Sequence, residues 1–161
     1  MKLPWLAALL IAIALPVFAG EPADRIVIEK AAHRMTLYRN GNPIHTYKVA
    51  LGGDPKGPKT QQGDHKTPEG DYIIDARNEH SHYYKSLHIS YPNFSDRERA
   101  HKLGLSPGGD IMIHGLPNGE GFIGKAHLLH DWTDGCIAVT DEEMDEIWTL
   151  VRTPTPVQIK P

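Results

Sequence analysis

Apolar and polar residues alternate along much of this chain in short runs, which is the pattern of half-buried β-strands. Residues 34–38 alternate, and residues 44–51 alternate again. Asn40 and Gly41, a common turn pair, lie between these two runs and predict a β-hairpin or meander. Further strands are predicted at residues 25–29, 72–76, 86–90, 110–114 and 156–159.

Two helices are predicted between the strands. The first, residues 93–103, is short and polar and ends before Gly104. The second begins after Thr140, which forms a capping box with Glu143: each side chain accepts a hydrogen bond from the backbone amide of the other residue. An apolar stripe at helical spacing follows it: Met144, Ile147, Trp148 and Val151. The pattern predicts a mainly β fold, a sandwich or open barrel of mixed sheets with two or three short helices.

A long segment without regular periodicity, residues 52–70, is rich in glycine, proline, lysine and aspartate. Loops of this length inside a compact domain are uncommon and are often functional. A plain solvated loop is the alternative, and the sequence leaves both interpretations open.

The first 20 of the 161 residues have the order of a secretory signal peptide. Lys2 precedes an apolar run, and small residues before Gly20 predict cleavage after Ala19. An uncleaved anchor is the alternative, but Pro4 and Pro16 shorten the run below the roughly 20 residues that a spanning helix needs. We therefore expect a signal peptide at 1–19, a single domain at 20–161, and export to the periplasm or cell envelope.

The charge composition argues against two classes of partner. The chain has 17 lysines and arginines against 20 aspartates and glutamates, a net charge of −3, with both signs scattered. Neither nucleic acid nor an anionic membrane is an expected partner, because both need a basic patch.

Cys136 is the only cysteine, so it has no partner within the chain. In an exported protein such a thiol forms an intermolecular bridge, is buried and inert, or is reactive. Gly135 leaves room for an incoming carbonyl group and frees the backbone to expose amides, and Thr133 and Asp134 make a polar approach to the sulfur. These neighbours favour a reactive thiol, which requires a base within hydrogen-bond reach.

His114 is the best candidate for that base. It closes an apolar strand and is followed by Gly115, so a rigid element would hold the imidazole with open space beside it. His127 and His130 are expected to be ordinary surface or half-buried histidines. Four others are expected to be structural or solvated: His80, His82, His88 and His101.

The pair His114-Gly115 followed by Thr133-Asp134-Gly135-Cys136 resembles the YkuD-type L,D-transpeptidase catalytic domain. The segment 66–72, KTPEGDY, is similar to the family's Thr-Pro-x-Gly-aromatic turn, and 108–114, GGDIMIH, to its approach to the histidine. The resemblance covers roughly residues 25–159.

The resemblance implies a β-sandwich-like enzyme acting on peptidoglycan stem peptides. Cys136 would be the nucleophile, His114 the general acid and base, and the Gly115 carbonyl would orient the imidazole. Thr133, Asp134 and Gly135 would bind substrate and the oxyanion. The cysteine would form a thioester with a diaminopimelate residue and expel D-alanine. An amine would then resolve the thioester in transpeptidation. Alternatively, water would resolve it, in carboxypeptidase or endopeptidase action on stem peptides or in the release of wall-linked protein. No metal or organic cofactor is implied.

Two departures mark a divergent branch of the family. Asp134 and Ala138 stand where cross-linking members usually have a histidine and an arginine, and alanine cannot grip a substrate carboxylate as arginine does. The segment between His114 and Cys136 is also longer than usual. Two other hypotheses stay open: a metal-dependent hydrolase built from the histidines, and a non-catalytic wall-binding module in which Cys136 is inert.

Overall fold

The computed structural model describes residues 21–161, so the predicted signal peptide lies outside the described residues. Eight strands, two α-helices and a 3-10 segment at Gly121–Leu129 follow in chain order. Their bounds are β1 Arg25–Glu29, β2 Arg34–Arg39, β3 Asn42–Lys48, β4 Gly70–Ser81, β5 Tyr84–Ile89, α1 Phe94–Lys102, β6 Met112–His114, β7 Ile137–Ala138, α2 Asp141–Leu150 and β8 Thr155–Lys160. No helix within residues 21–161 is long and apolar enough to cross a membrane.

The eight strands form one mixed sheet in the order β3-β2-β1-β8-β4-β5-β6-β7. Two neighbouring pairs, β1 with β8 and β6 with β7, run parallel, and the other pairs run antiparallel. The predicted mainly β fold with short helices is confirmed.

The two edges of the sheet meet through the chain that follows β3. Ala50 and Ala138 exchange backbone hydrogen bonds of 3.0 and 2.9 Å, and the Thr133 amide donates to the Leu51 carbonyl at 3.1 Å. Because Ala138 belongs to β7, at the opposite edge from β3, these bonds require the sheet to curl into a half-barrel.

Strand residues and α2 together form the hydrophobic core. The predicted apolar stripe is confirmed, since Met144, Ile147 and Val151 are fully buried and Trp148 lies at the margin of the core. Each large aliphatic side chain buried in this way stabilises the fold by about 1.5–3 kcal/mol.

All the predicted strands are present, but the sequence missed two elements. The strand β7 is only two residues long and has no periodicity of its own. The 3-10 segment Gly121–Leu129 is interrupted at Gly124, whose φ is 50°, and its apolar residues do not repeat at helical spacing. β4 also runs on to Ser81, beyond the predicted end at residue 76, because it continues into a hairpin whose residues are mostly exposed.

The segment 52–70 has no helix and no regular strand before Gly70, where β4 begins, and it is firmly attached to the sheet. Lys30, only 3% exposed, extends its ammonium group under it. This ammonium donates to the Gly57 carbonyl at 2.6 Å, to the Thr67 carbonyl at 2.8 Å and to Glu69 Oε1 at 2.9 Å. All three of its N–H groups are therefore used in anchoring the loop.

We expect Thr140→Ala to destabilise the fold by about 1 kcal/mol, because it removes the N-cap of α2. The Thr140 hydroxyl accepts the Glu143 amide at 3.2 Å, and Glu143 Oε2 accepts the Thr140 amide at 3.1 Å. Urea unfolding measures the loss. Thr149→Ala is the matched control, since the Thr149 hydroxyl only donates to the Asp145 carbonyl inside the same helix. Equal losses in the two variants would contradict the assignment of the cap.

Candidate active site

Parallel pairing of β6 with β7 brings the predicted nucleophile and base together. His114 ends β6 and pairs with Ala138, while Cys136 directly precedes β7. Both side chains line one cleft of about 370 Å³. Two residues that are distant in the sequence thus meet because their strands are neighbours in the sheet.

The His114 imidazole is held in one tautomer. Its side chain is 3% exposed, and Nδ1 lies 2.7 Å from the carbonyl oxygen of Gly115. A carbonyl oxygen only accepts hydrogen bonds, so Nδ1 carries the proton and, in the neutral ring, Nε2 is free to accept one. Burial lowers the pKa of His114 to about 4, with the Gly115 contact opposing the change. At neutral pH the ring is therefore an uncharged base.

The Cys136 thiol is partly buried, and its sulfur lies 3.5 Å from the Asp110 carbonyl oxygen. Burial raises the pKa of the thiol; the Met112 backbone amide opposes the rise, and the Asp134 carboxylate adds to it. With the depressed pKa of His114, this gives a resting site that holds a neutral thiol and a neutral imidazole rather than an ion pair.

The turn before Cys136 fixes the cysteine backbone. The buried Thr133 hydroxyl donates to the Cys136 carbonyl at 2.8 Å and accepts the Gly135 amide at 3.1 Å. Gly135 has a φ of 125°, and a Cβ there would lie 2.5 Å from the Lys66 carbonyl oxygen, so only glycine fits. Its amide is already bonded, whereas the Cys136 amide has no partner among the described residues.

A second cleft, also of about 370 Å³, meets the first at Cys136. The segment 52–70 forms one of its walls through Lys59 and His65. His65 Nδ1 lies 2.7 Å from the exposed carboxylate of Asp134, at the mouth of the site. Of the two interpretations of this segment, the one that places it at a functional site agrees with this geometry.

Sequence reasoning missed the aromatic wall of the first cleft. The ring centroids of Tyr83 and His114 are 4.6 Å apart, and those of His114 and Trp132 are 5.8 Å apart. Trp132 lies close to Cys136 in the chain, which was the one available signal. Tyr83 had none, because its place at the cleft depends on the length of β4 and on its hairpin with β5.

The expectation for His127 was wrong. It is only 5% exposed and packs edge-on against Trp132, because the unpredicted 3-10 segment folds over that side chain. His80, His82, His101 and His130 are exposed, and His88 pairs with Asp75 at 2.5 Å. Within residues 21–161, no three His, Cys, Asp or Glu side chains are grouped closely enough to hold a metal ion.

The fold places a cysteine and a histidine in one cleft, and comparison with known proteins identifies the family. The family model of the YkuD L,D-transpeptidase catalytic domain matches residues 23–159. The chain belongs to this family.

Among curated proteins, the chain is similar to YafK of Escherichia coli K12, which is named as a candidate L,D-transpeptidase. The two are 34% identical over 112 residues, 67% of this chain and 37% of YafK. The chain thus spans little more than a third of the length of this relative.

Among solved structures, it is similar to the helical cell shape determining protein Pgp2 of Campylobacter jejuni, with a TM-score of 0.64 and 25% identity over 88% of this chain and 49% of Pgp2. L,D-transpeptidase 1 of Mycobacterium tuberculosis shares the fold, with a TM-score of 0.52 and 15% identity over 85% of this chain and 60% of that one.

We expect acidification to destabilise the protein through His114. A pKa near 4 in the folded state, against 6.5 for a free histidine, means that the unfolded chain binds more protons between these values. The stability contributed by the neutral ring is therefore complete above pH 6.5 and is lost as the pH falls toward 4, by roughly 3 kcal/mol in total. His114→Gln should flatten this dependence when urea unfolding is measured from pH 7 to 4.

The control is His101→Gln, which replaces an exposed histidine and leaves the buried ring in place. If His114→Gln retained the slope of the unmodified protein, the buried imidazole would not be its source.

Proposed function

We propose that this protein is an exported, peptidoglycan-modifying cysteine acyltransferase of the L,D-transpeptidase type. The observation that carries the proposal is the placement of Cys136 and His114 in one cleft, with the imidazole neutral and its Nδ1–H bonded to Gly115. The family match, and the resemblance to proteins named for L,D-transpeptidation and for cell shape, support peptidoglycan as the substrate.

In the first half-reaction, His114 Nε2 takes the thiol proton while the sulfur attacks the carbonyl carbon of a diaminopimelate residue in a stem tetrapeptide. The carbonyl becomes an oxyanion, and the free amide of Cys136 is the donor that we assign to it. The C–N bond then breaks, and His114 returns the proton to the amine of D-alanine as it leaves. A thioester remains on Cys136.

The neutral state of the resting pair makes proton transfer part of the attack. A raised thiol pKa and a lowered imidazole pKa both disfavour a preformed thiolate. His114 must therefore act as a general base as the S–C bond forms, rather than merely stabilise an existing anion. Thr133 supports this step by holding the Cys136 backbone through its hydroxyl.

In the second half-reaction an amine of another stem attacks the thioester carbon, and His114 accepts the amine proton. The C–S bond then breaks, His114 returns the proton to the Cys136 sulfur, and the new amide bond is the cross-link. Two clefts meeting at Cys136 allow donor and acceptor to approach from different sides. Hydrolysis by water, which would make the enzyme a carboxypeptidase or endopeptidase, is the second candidate. The polar residues that line the second cleft favour hydrolysis, because they allow water to reach the sulfur.

We expect Cys136→Ala to abolish turnover of muropeptides, because Cys136 is the only thiol in the chain. Mass spectrometry of muropeptides incubated with the purified protein measures this. New dimers identify the transferase, and shortened stems identify the hydrolase. Thr149→Ala is the control that should retain activity, because Thr149 is exposed and lines neither cleft.

Three outcomes would contradict this proposal. Full turnover by a folded Cys136→Ala variant would remove the thiol from the mechanism. Loss of turnover with EDTA and its return with zinc would favour a metal-dependent hydrolase. Failure of Cys136 to react with a thiol reagent or an acylating carbapenem, in a folded protein, would favour a non-catalytic wall-binding module.

A further inference from the structure

The position at which the family usually places an arginine cannot supply a cation here. Ala138 lies in β7, has no exposed surface, and forms both of its backbone hydrogen bonds to Ala50. If the site recognises a substrate carboxylate, the positive charge must come from another part of the chain.

Lys59, in the segment 52–70, is in a position to supply it. It lines the second cleft together with Cys136. Among the described residues that line either of the two clefts, it is the only lysine or arginine. Its charge also acts on the sulfur, since it lowers the pKa of the Cys136 thiol against the larger effect of burial.

The Lys59 ammonium is buried but only partly hydrogen-bonded. The side chain is 4% exposed, and Nζ donates to Asp64 Oδ1 at 2.7 Å, its one partner among the described residues. An ammonium group has three N–H donors, so two are left without a protein acceptor. The buried Lys30 shows the contrast, because all three of its donors are bonded.

Asp64 holds this ammonium group in place but accepts only one of its three N–H donors. Its carboxylate also accepts the backbone amides of Thr60 at 2.8 Å, Gln61 at 3.1 Å and Lys66 at 3.1 Å. Although burial opposes it, the Lys59 contact and these amides lower the pKa of Asp64 to about 2. The carboxylate therefore stays ionised, and the loop backbone shares its charge.

We propose that Lys59 binds a carboxylate of the substrate in the second cleft and takes the role that the missing arginine has elsewhere in the family. The two unpartnered N–H groups offer charge-assisted hydrogen bonds to one carboxylate. Asp110 and Asp134 line the same cleft and disfavour an anion, and Asp134 is already paired with His65, so anion binding there depends on Lys59.

Two carboxylates of the stem peptide are candidates for binding to Lys59. Their identity rests on the proposed function, because that function makes the stem peptide the substrate. One is the terminal carboxylate of the D-alanine that leaves. The other is the side-chain carboxylate of diaminopimelate. A stem with a C-terminal amide lacks the first, and a stem with lysine in place of diaminopimelate lacks the second.

The test uses Cys136 as its own reporter and does not require turnover. Iodoacetate carries a carboxylate and iodoacetamide does not, and each alkylates the single thiol at a rate measured by mass spectrometry. The ratio of the two rates cancels changes in thiol reactivity. We expect Lys59→Met to lower the iodoacetate to iodoacetamide ratio about tenfold, and Lys59→Arg to retain most of it.

Lys56→Met is the matched control, because it removes one positive charge from the same loop at an exposed residue that does not line the second cleft. Its ratio should stay within about twofold of the unmodified protein. The same ratio in a folded Lys59→Met variant and the unmodified protein would overturn the proposal. So would equal losses in the Lys59→Met and Lys56→Met variants.

Lys59→Met leaves the buried Asp64 carboxylate without its cation and so weakens the fold of the loop. A second measurement therefore uses the unmodified protein. N-acetyl-D-alanine should slow alkylation of Cys136 by iodoacetamide, and N-acetyl-D-alanine amide should not. Equal effects of the two compounds, or no effect of either, would overturn the proposal.

Peptide substrates then separate this proposal from the proposed function. If muropeptides are turned over, Lys59→Met should raise KM about tenfold with little change in kcat. With one of the two altered stems, the variant and the unmodified protein should have the same KM, and the carboxylate which that stem lacks is the one that Lys59 binds. If no muropeptide is turned over but the alkylation ratio falls, the carboxylate site stands and the proposed function fails. If the alkylation ratio is unchanged and turnover is normal, the proposed function stands and the carboxylate site fails.

Discussion

The pairing of β7 with both of its neighbours is the interaction on which the site depends. This strand is only two residues long, yet it bonds β6 on one side and the chain at Ala50 on the other. The first contact sets the distance between the cysteine and the histidine. The second closes the curled sheet and brings the segment 52–70 against the turn at Gly135, where any side chain would collide with the Lys66 carbonyl.

Burial then decides the chemistry of the pair. Enclosure by aromatic neighbours and the core disfavours the charged form of both groups, so the thiol keeps its proton and the imidazole stays unprotonated. A site of this kind does not maintain a reactive thiolate in the absence of substrate. The neutral thiol is also protected, because a thiol oxidises far less readily than a thiolate.

The long loop acts as a wall of the site because buried charges anchor it. Lys30 fastens it to the sheet from beneath, and Asp64 folds its tip around three backbone amides. Neither contact contributes to a hydrophobic core. A loop that pattern analysis can only describe as rich in turn-forming residues thus becomes a rigid part of the cleft and presents Lys59 to it.

The sequence by itself determined the local elements and the two candidate reacting groups. Alternation predicted the strands, and the pair Thr140 and Glu143 predicted the start of α2. The single cysteine after Gly135 and the strand-ending histidine before Gly115 each marked a candidate reacting group, because each of these signals lies within a few neighbouring residues. Only the tertiary structure decided the existence of β7, the burial of His127, the aromatic wall and the position of Lys59. These depend on contacts between distant segments and on the exclusion of water, which no local pattern records.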